Sequence, residues 1–139
     1  MTKNELQQVF YLNKELKMWK KEREKLEERI GSSGKWIDGM PRGSGTGDPT
    51  GNLASEIANC KMMISCKEME IQIQKNRIIR YIDGIDNSVL RQIIFYRCVA
   101  LKPWNHVAAE IGGLLTGDSA RMTFNRHFDG GSDETERLT

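Results

Sequence analysis

The stretch "KPWNHVAAEIGG", residues 102–113, decides how the rest of the chain is read. Pro103 suits the first turn of a helix, where its missing N–H has no intrahelical partner to lose. Trp104, Val107, Ala108 and Ile111 then share one face at steps of three, one and three, while Asn105, Ala109 and Glu110 lean the other way. Ala108 is followed four residues later by Gly112. That pairing suits two helices crossing at a tight turn, because the alanine permits close approach and the glycine accepts a left-handed backbone. The spacing predicts a short helix over 103–112 and a turn over 112–118, several residues longer than the compact three- or four-residue form.

A second helix is expected from "DSARMTFNRHF", residues 118–128, with Asp118 or Ser119 as its N-cap. Ala120, Phe124 and Phe128 recur at steps of four and form its inner face. The remaining face presents Ser119, Arg121, Met122, Thr123, Asn125 and Arg126. Guanidinium groups grip guanine edges or phosphates in a fork, a carboxamide matches adenine, and a helix N-terminus suits a phosphate. These six residues are therefore the candidate contacts to double-stranded DNA, with Arg121 and Arg126 foremost. The competing reading is a solvated helix face of no function. Trp104 belongs to the core, because the apolar face needs a large residue there. Lys102, Arg91 and Arg97 fit phosphate contacts or a merely solvated surface equally well.

The segment upstream reads as helices throughout. In the first helix, residues 4–30, Val9, Leu16, Arg23 and Ile30 hold one position of a seven-residue repeat, and Leu12, Trp19 and Leu26 hold the position three later. That is a coiled-coil seam, with Arg23 as a local cost. In the second, residues 53–82, Ile57, Ile64, Ile71 and Ile78 recur every seven residues beside a mixed row of Leu53, Cys60, Lys67, Gln74 and Tyr81. Two helices of similar length, each about 40 Å at 1.5 Å per residue, predict an antiparallel hairpin. A further row, Met62, Cys66, Met69 and Ile73, lies nearly opposite the isoleucines. A helix apolar on two sides needs two neighbours, and the second neighbour is expected to be another copy of the chain, giving a homodimer through the coiled coil.

Between these helices the composition changes. Residues 31–52 hold seven of the 13 glycines and two of the three prolines, including "GSGTGDPTG". No lysine with Ser/Thr follows the last glycine and no strand precedes, so a phosphate-binding loop is excluded. The segment is read as a connector, with Trp36, Ile37 and Met40 folding back on the helices. "DGIDNS", residues 83–88, is a turn in which Gly84 ends one helix and Asp86, Asn87 or Ser88 caps a third over 89–100.

Hydrophobic content of 38% against 29% charged suits helices with wet faces. The net charge of +2 is unevenly spread. Residues 87–128 carry five basic and two acidic side chains, or +3, and residues 129–139 carry four acidic and one basic, or −3. A weakly basic module with an acidic tail is compatible with nucleic acid. Cys60, Cys66 and Cys98 form no metal-ligand spacing and no even set, which suits a reducing, cytoplasmic setting. No apolar run reaches the roughly 20 residues of a membrane span. His106 and His127 have no Cys or carboxylate at ligand spacing, so neither a metal nor another cofactor is expected. No nucleophile–base pair points to an enzyme.

"IDNSVLRQIIFYRCVALKPWNHVAAEIGG" followed by "DSARMTFNRHF" resembles region 4 of sigma-70-type factors. The layout as a whole resembles the ArpU/RinA-like group of small regulators from Gram-positive phages and prophages. The shared features are a charged first helix, a "GMP…G" loop (Gly39, Met40, Pro41 to Gly51), an isoleucine-rich second helix, the helix led by Trp104, and "S-x-R-M…R" at Ser119, Arg121, Met122 and Arg126. The match covers residues 11–128 and leaves the tail outside. It implies DNA binding, control of phage transcription and possible contact with host RNA polymerase. The expected organisation is all-α: a coiled-coil hairpin over 1–86, a sigma-region-4-like helix-turn-helix over 87–128, and a disordered acidic tail over 129–139. Two other readings fit the same pattern, a small terminase-like packaging protein and a coiled-coil adaptor that binds no DNA.

Overall fold

A computed structural model describes the backbone of residues 1–37 and 49–138 and the side chains of residues 1–31 and 52–129. The architecture is all-α, with no strand among the described residues. Helix α1 spans Lys3–Ile37 and α2 spans Pro49–Asp83. Helix α3, Ser88–Ile94, runs directly into a π-helical turn, Phe95–Val99. Helix α4 is Trp104–Ile111 and α5 is Gly117–Leu138.

The connector is shorter than its composition suggests, because α1 continues past Ile30 and α2 starts at Pro49, a residue suited to a first turn. Adding a residue to an existing helix costs far less than nucleating one, so glycine content alone marks a helix end poorly. Most of "GSGTGDPTG", Met40 and the "GMP" motif lie outside the described residues, as do the side chains of Trp36 and Ile37. Likewise α5 runs to Leu138, ten residues beyond Phe128, where the acidic composition suggests disorder.

Packing divides the chain into two compact units, Leu12–Ile71 and Met1–Tyr11 with Gln72–Thr139. In the first, Leu26, Ile57 and Cys60 are buried together, with Trp19, Ile30 and Leu53 packed around them. Further along, Lys67 Nζ lies 3.2 Å from Glu15 Oε1 and 3.5 Å from Glu70 Oε1. Residue numbers fall along α1 as they rise along α2, so this pair is antiparallel, as the equal lengths predict. The side chain of Lys67 is only 14% exposed at its seam position. The hydrogen bond to Glu15 holds its ammonium above the ordinary lysine range, outweighing desolvation. Arg23, the misfit of the repeat, is half-buried with Glu27 3.8 Å away.

The second unit gathers the start of α1 and the end of α2 around α3–α5. Leu6, Val9, Ile78 and Ile82 are buried there with Leu90, Ile93, Ile94, Cys98, Val99, Val107, Ala108, Ala120 and Phe124. The chemistry-bearing segment 87–128 thus shares its unit with the first turns of α1, which heptad spacing had placed with the hairpin. Asn87 is the cap of α3, its carboxamide oxygen accepting from the N–H of Val89 at 3.0 Å and Leu90 at 3.2 Å. Arg91 fastens the preceding turn by donating to the carbonyls of Ile85 at 2.6 Å and Asp86 at 3.2 Å.

The third helix does not reach Ala100 in α geometry. The N–H of Ala100 bonds the carbonyl of Phe95 at 3.0 Å, five residues back, and Leu101 then turns left-handed at φ +57°. The N–H of Lys102 returns to the carbonyl of Tyr96 at 2.9 Å. This closure reaches one residue further back than the 6→1 bond of a Schellman helix end, in keeping with the π-helical turn before it, and leucine holds the left-handed position where glycine is usual.

Burial drives the Cys98 thiol up from an ordinary 9.0 to about 12. The folded chain therefore holds this proton more tightly than the unfolded chain. The resulting stability is complete below pH 9.0 and is lost as pH rises toward 12. Urea midpoints measured between about pH 8 and about pH 11 should fall with pH, at up to about 1.4 kcal/mol per unit from this group. The Cys98→Ala variant should fall less steeply; an identical slope would remove Cys98 as the source.

Candidate nucleic-acid interface

Helices α4 and α5 pack directly on each other and both pack on α3. The turn between α4 and α5 works as its glycines suggest. The N–H of Gly112 closes α4 on the carbonyl of Ala108 at 2.9 Å, and Gly112 then adopts φ +83°, ψ −161°, a region almost confined to glycine. Gly113 follows at φ +70°.

The closest approach of the two helices involves a third glycine. A Cβ on Gly117 would collide with Oδ1 of Asn105 and stand 3.1 Å from the backbone nitrogen of Asn105. Ala108 is buried as expected, but the first turn of α4 seats the start of α5 through Gly117.

The cap of α5 also differs from expectation. Neither Asp118 nor Ser119 is the N-cap; Thr116 precedes the helix and takes that role. Thr116 Oγ1 accepts from the Ser119 N–H at 3.1 Å, and Ser119 Oγ accepts from the Thr116 N–H at 2.9 Å. This is the reciprocal arrangement of a capping box, with serine in place of the usual glutamate or glutamine. Because the helix begins at Gly117, the hydroxyl three residues in reaches back to Thr116.

The inner face of α5 is the predicted one. Ala120 and Phe124 are buried, and Phe128 is half-buried. Phe124 meets Trp104 with ring centroids 5.4 Å apart and Phe128 at 5.0 Å, so Trp104 is a packing residue. Arg97 lies over the Trp104 ring, its guanidinium carbon 4.5 Å from the centroid, and donates to the Lys102 carbonyl at 3.2 Å. Arg91 and Arg97 thus both serve their own fold. Tyr81 Oη and His127 Nε2 are 2.9 Å apart and tie the end of α2 to α5. Burial raises the Tyr81 phenol above its ordinary range.

The six candidate residues separate into groups. Ser119 is committed to the cap, and Thr123 Oγ1 donates to the Ser119 carbonyl at 2.8 Å. Met122 and Arg126 lie on the outermost face, both exposed. Arg121, its side chain 49% exposed, and the half-buried Asn125 lie on one flank and line a groove whose other wall is the first turns of α1. Asp118, 90% exposed, stands 3.9 Å from Arg121, an open pair of little strength. Sequence reading missed Thr116, visible in retrospect as T-x-x-S, and the Asn105–Gly117 contact. It also missed the α1 wall, which only the tertiary packing brings near.

No group of His, Cys, Asp and Glu able to hold a metal occurs among the described residues, and none of the helices searched there is long and apolar enough to cross a membrane. Comparison of the chain with protein-family models, curated proteins and solved structures found no match.

Gly117→Ala should lower stability by about 1–3 kcal/mol through overpacking. Adding Asn105→Ala should restore part of that loss by removing the Oδ1 collision, while the backbone contact remains. Chemical denaturation of the single and double variants reads both effects, and no loss in the single variant would show that the two helices separate freely here.

Proposed function

We propose that the chain is a sequence-specific, DNA-binding transcriptional regulator of the phage and prophage type, with α4 and α5 as its helix-turn-helix. The supporting observation is the orientation of α5. Ala120 and Phe124 turn inward, and Met122 and Arg126 face outward with Arg121 exposed on the adjoining flank. In this reading the first turns of α5 enter a major groove, and phosphate contacts supply much of the affinity. Arg126 and Arg121 carry the strongest contacts, Asn125 and Met122 are next, and Ser119 and Thr123 act mainly by holding the helix. The resemblance to sigma-region-4-like phage regulators points the same way, and extends the proposal to contact with host RNA polymerase.

Arg126→Ala should weaken binding to the selected operator by about 1–3 kcal/mol if it reads a base, and affinity should fall steeply with salt. Binding is measured by fluorescence anisotropy on a duplex recovered by selection from a random pool. Recovery of no duplex at low salt would leave the adaptor reading in its place.

The reading includes a homodimer. On α2, Met62 is 64% exposed, Met69 is 67% exposed, and Cys66 between them is exposed. The neighbours on that side, Asn59 and Ser65, carry no charge, unlike the lysine- and glutamate-rich exterior of α1. A second copy seated on the Met62–Met69 stretch covers both methionines. Two-fold pairing about the middle of the row brings Cys66 near its own copy. Mild oxidation should therefore give a cross-linked dimer that Cys66→Ser abolishes, and native mass should give two subunits. A ring of many subunits would favour the packaging reading, and a monomer would end the dimer.

A further inference from the structure

The groove beside α5 has a composition that DNA backbone contact does not require. It encloses about 290 Å³ in the unit that holds α3–α5. Its rim carries three cations, Lys3, Arg97 and Arg121, and no carboxylate lines it. Its floor is apolar, including Leu6, Leu101 and the rings of Trp104 and Phe124. Two carboxamides, Gln7 on α1 and Asn125 on α5, complete the lining with the Tyr11 ring.

Each part has a separate chemical meaning. Three like charges around one concavity focus a positive potential and favour an anion. Arg97 is already held in place by the Trp104 ring and the Lys102 carbonyl, so little of its freedom remains to be lost on binding. The nearest acid to Arg121, Asp118, is at 3.9 Å, points to solvent and is easily displaced. The exposed Tyr11 ring and the half-buried Trp104 supply a stacking or edge surface for a planar ring, while Phe124 backs Trp104 from within. Carboxamides match the donor–acceptor edge of a purine, adenine above all. The volume lies at the lower bound of small-molecule sites, about 300 Å³. A bare phosphate needs no apolar floor, and an apolar ligand needs no cationic rim.

We propose that this groove binds a purine nucleoside monophosphate unit, its phosphate held by Lys3, Arg97 and Arg121 and its base placed against the exposed Tyr11 ring and the part of Trp104 that Arg97 does not cover. Two sources present that chemistry: a free nucleotide, and an unstacked nucleotide of a DNA strand. The inference does not rest on the regulator reading, since the groove binds its ligand without duplex DNA.

The experiment uses the full chain carrying Trp19→Phe and Trp36→Phe, so that Trp104 is the only tryptophan and is excited selectively at the red edge of the absorption band. Adenosine monophosphate should change its emission saturably at concentrations below about 10 mM. Adenosine and inorganic phosphate should each bind at least about tenfold more weakly, equivalent to about 1.4 kcal/mol. Lys3→Gln and Gln7→Ala, both near the chain start, should each weaken the nucleotide while leaving the circular dichroism spectrum and the urea midpoint unchanged. Arg97→Gln should weaken it further, with the fold checked in the same way. A short adenine single strand is titrated alongside. Binding of the mononucleotide as tightly as the strand identifies a free ligand, and much tighter strand binding identifies DNA; both support the groove. Absence of saturable change with either, or equal binding by inorganic phosphate alone, overturns the proposal. Duplex binding by Arg126, which lies outside the groove, is scored separately, so either result can fail without the other.

Discussion

The burial of Ala120 and Phe124 against α4 governs the rest of the module, because it sets the rotation of α5 about its own axis. A helix turned by one residue, about 100°, would bury Arg121 and Asn125 and expose the phenylalanine. Phe124 prevents that by meeting Trp104 of α4, while Phe128 one turn on extends the same inner face. Gly117 fixes the position of the helix start as firmly as Phe124 fixes its rotation, since nothing larger than hydrogen fits against Asn105. The two constraints together decide which side chains reach outward, and every functional reading of α5 follows from that.

The seam of the hairpin was readable because burial there follows a period of seven residues. Leu16, Leu26, Ile57, Ile64 and Ile71 are all buried. The inner face of α5 was readable for the same kind of reason, at steps of four. Both depend on one helix meeting one neighbour, which leaves a periodic trace in the sequence. The Gly-Gly turn was readable because its backbone conformation excludes other residues.

Other features left no such trace. Leu101 carries a left-handed backbone without the glycine or asparagine that would announce it. The π-helical turn before it reflects how the end of α3 is closed, with no composition of its own. The capping of α5 by Thr116 instead of Asp118 or Ser119 depended on a shift of two residues at the helix start, and several good capping residues stand side by side there. The groove beside α5 joins residues more than eighty positions apart, Lys3 and Gln7 with Arg97 and Arg121. Only long-range packing brings these together, and no local spacing encodes it. The candidate site is therefore half legible: its exposed arginines follow from periodicity, and its second wall does not.

The passage from α3 to α4 combines two residues with little backbone freedom. Leu101 sits in a narrow left-handed well, and Pro103 has its φ locked at −65°. The Lys102 amide between them is tied back to Tyr96 and its carbonyl accepts from Arg97. A joint built this way has almost no play. The orientation in which α4 and α5 are presented is consequently preset, so under the proposed reading the duplex must conform to the module, and sequences too stiff to do so are rejected.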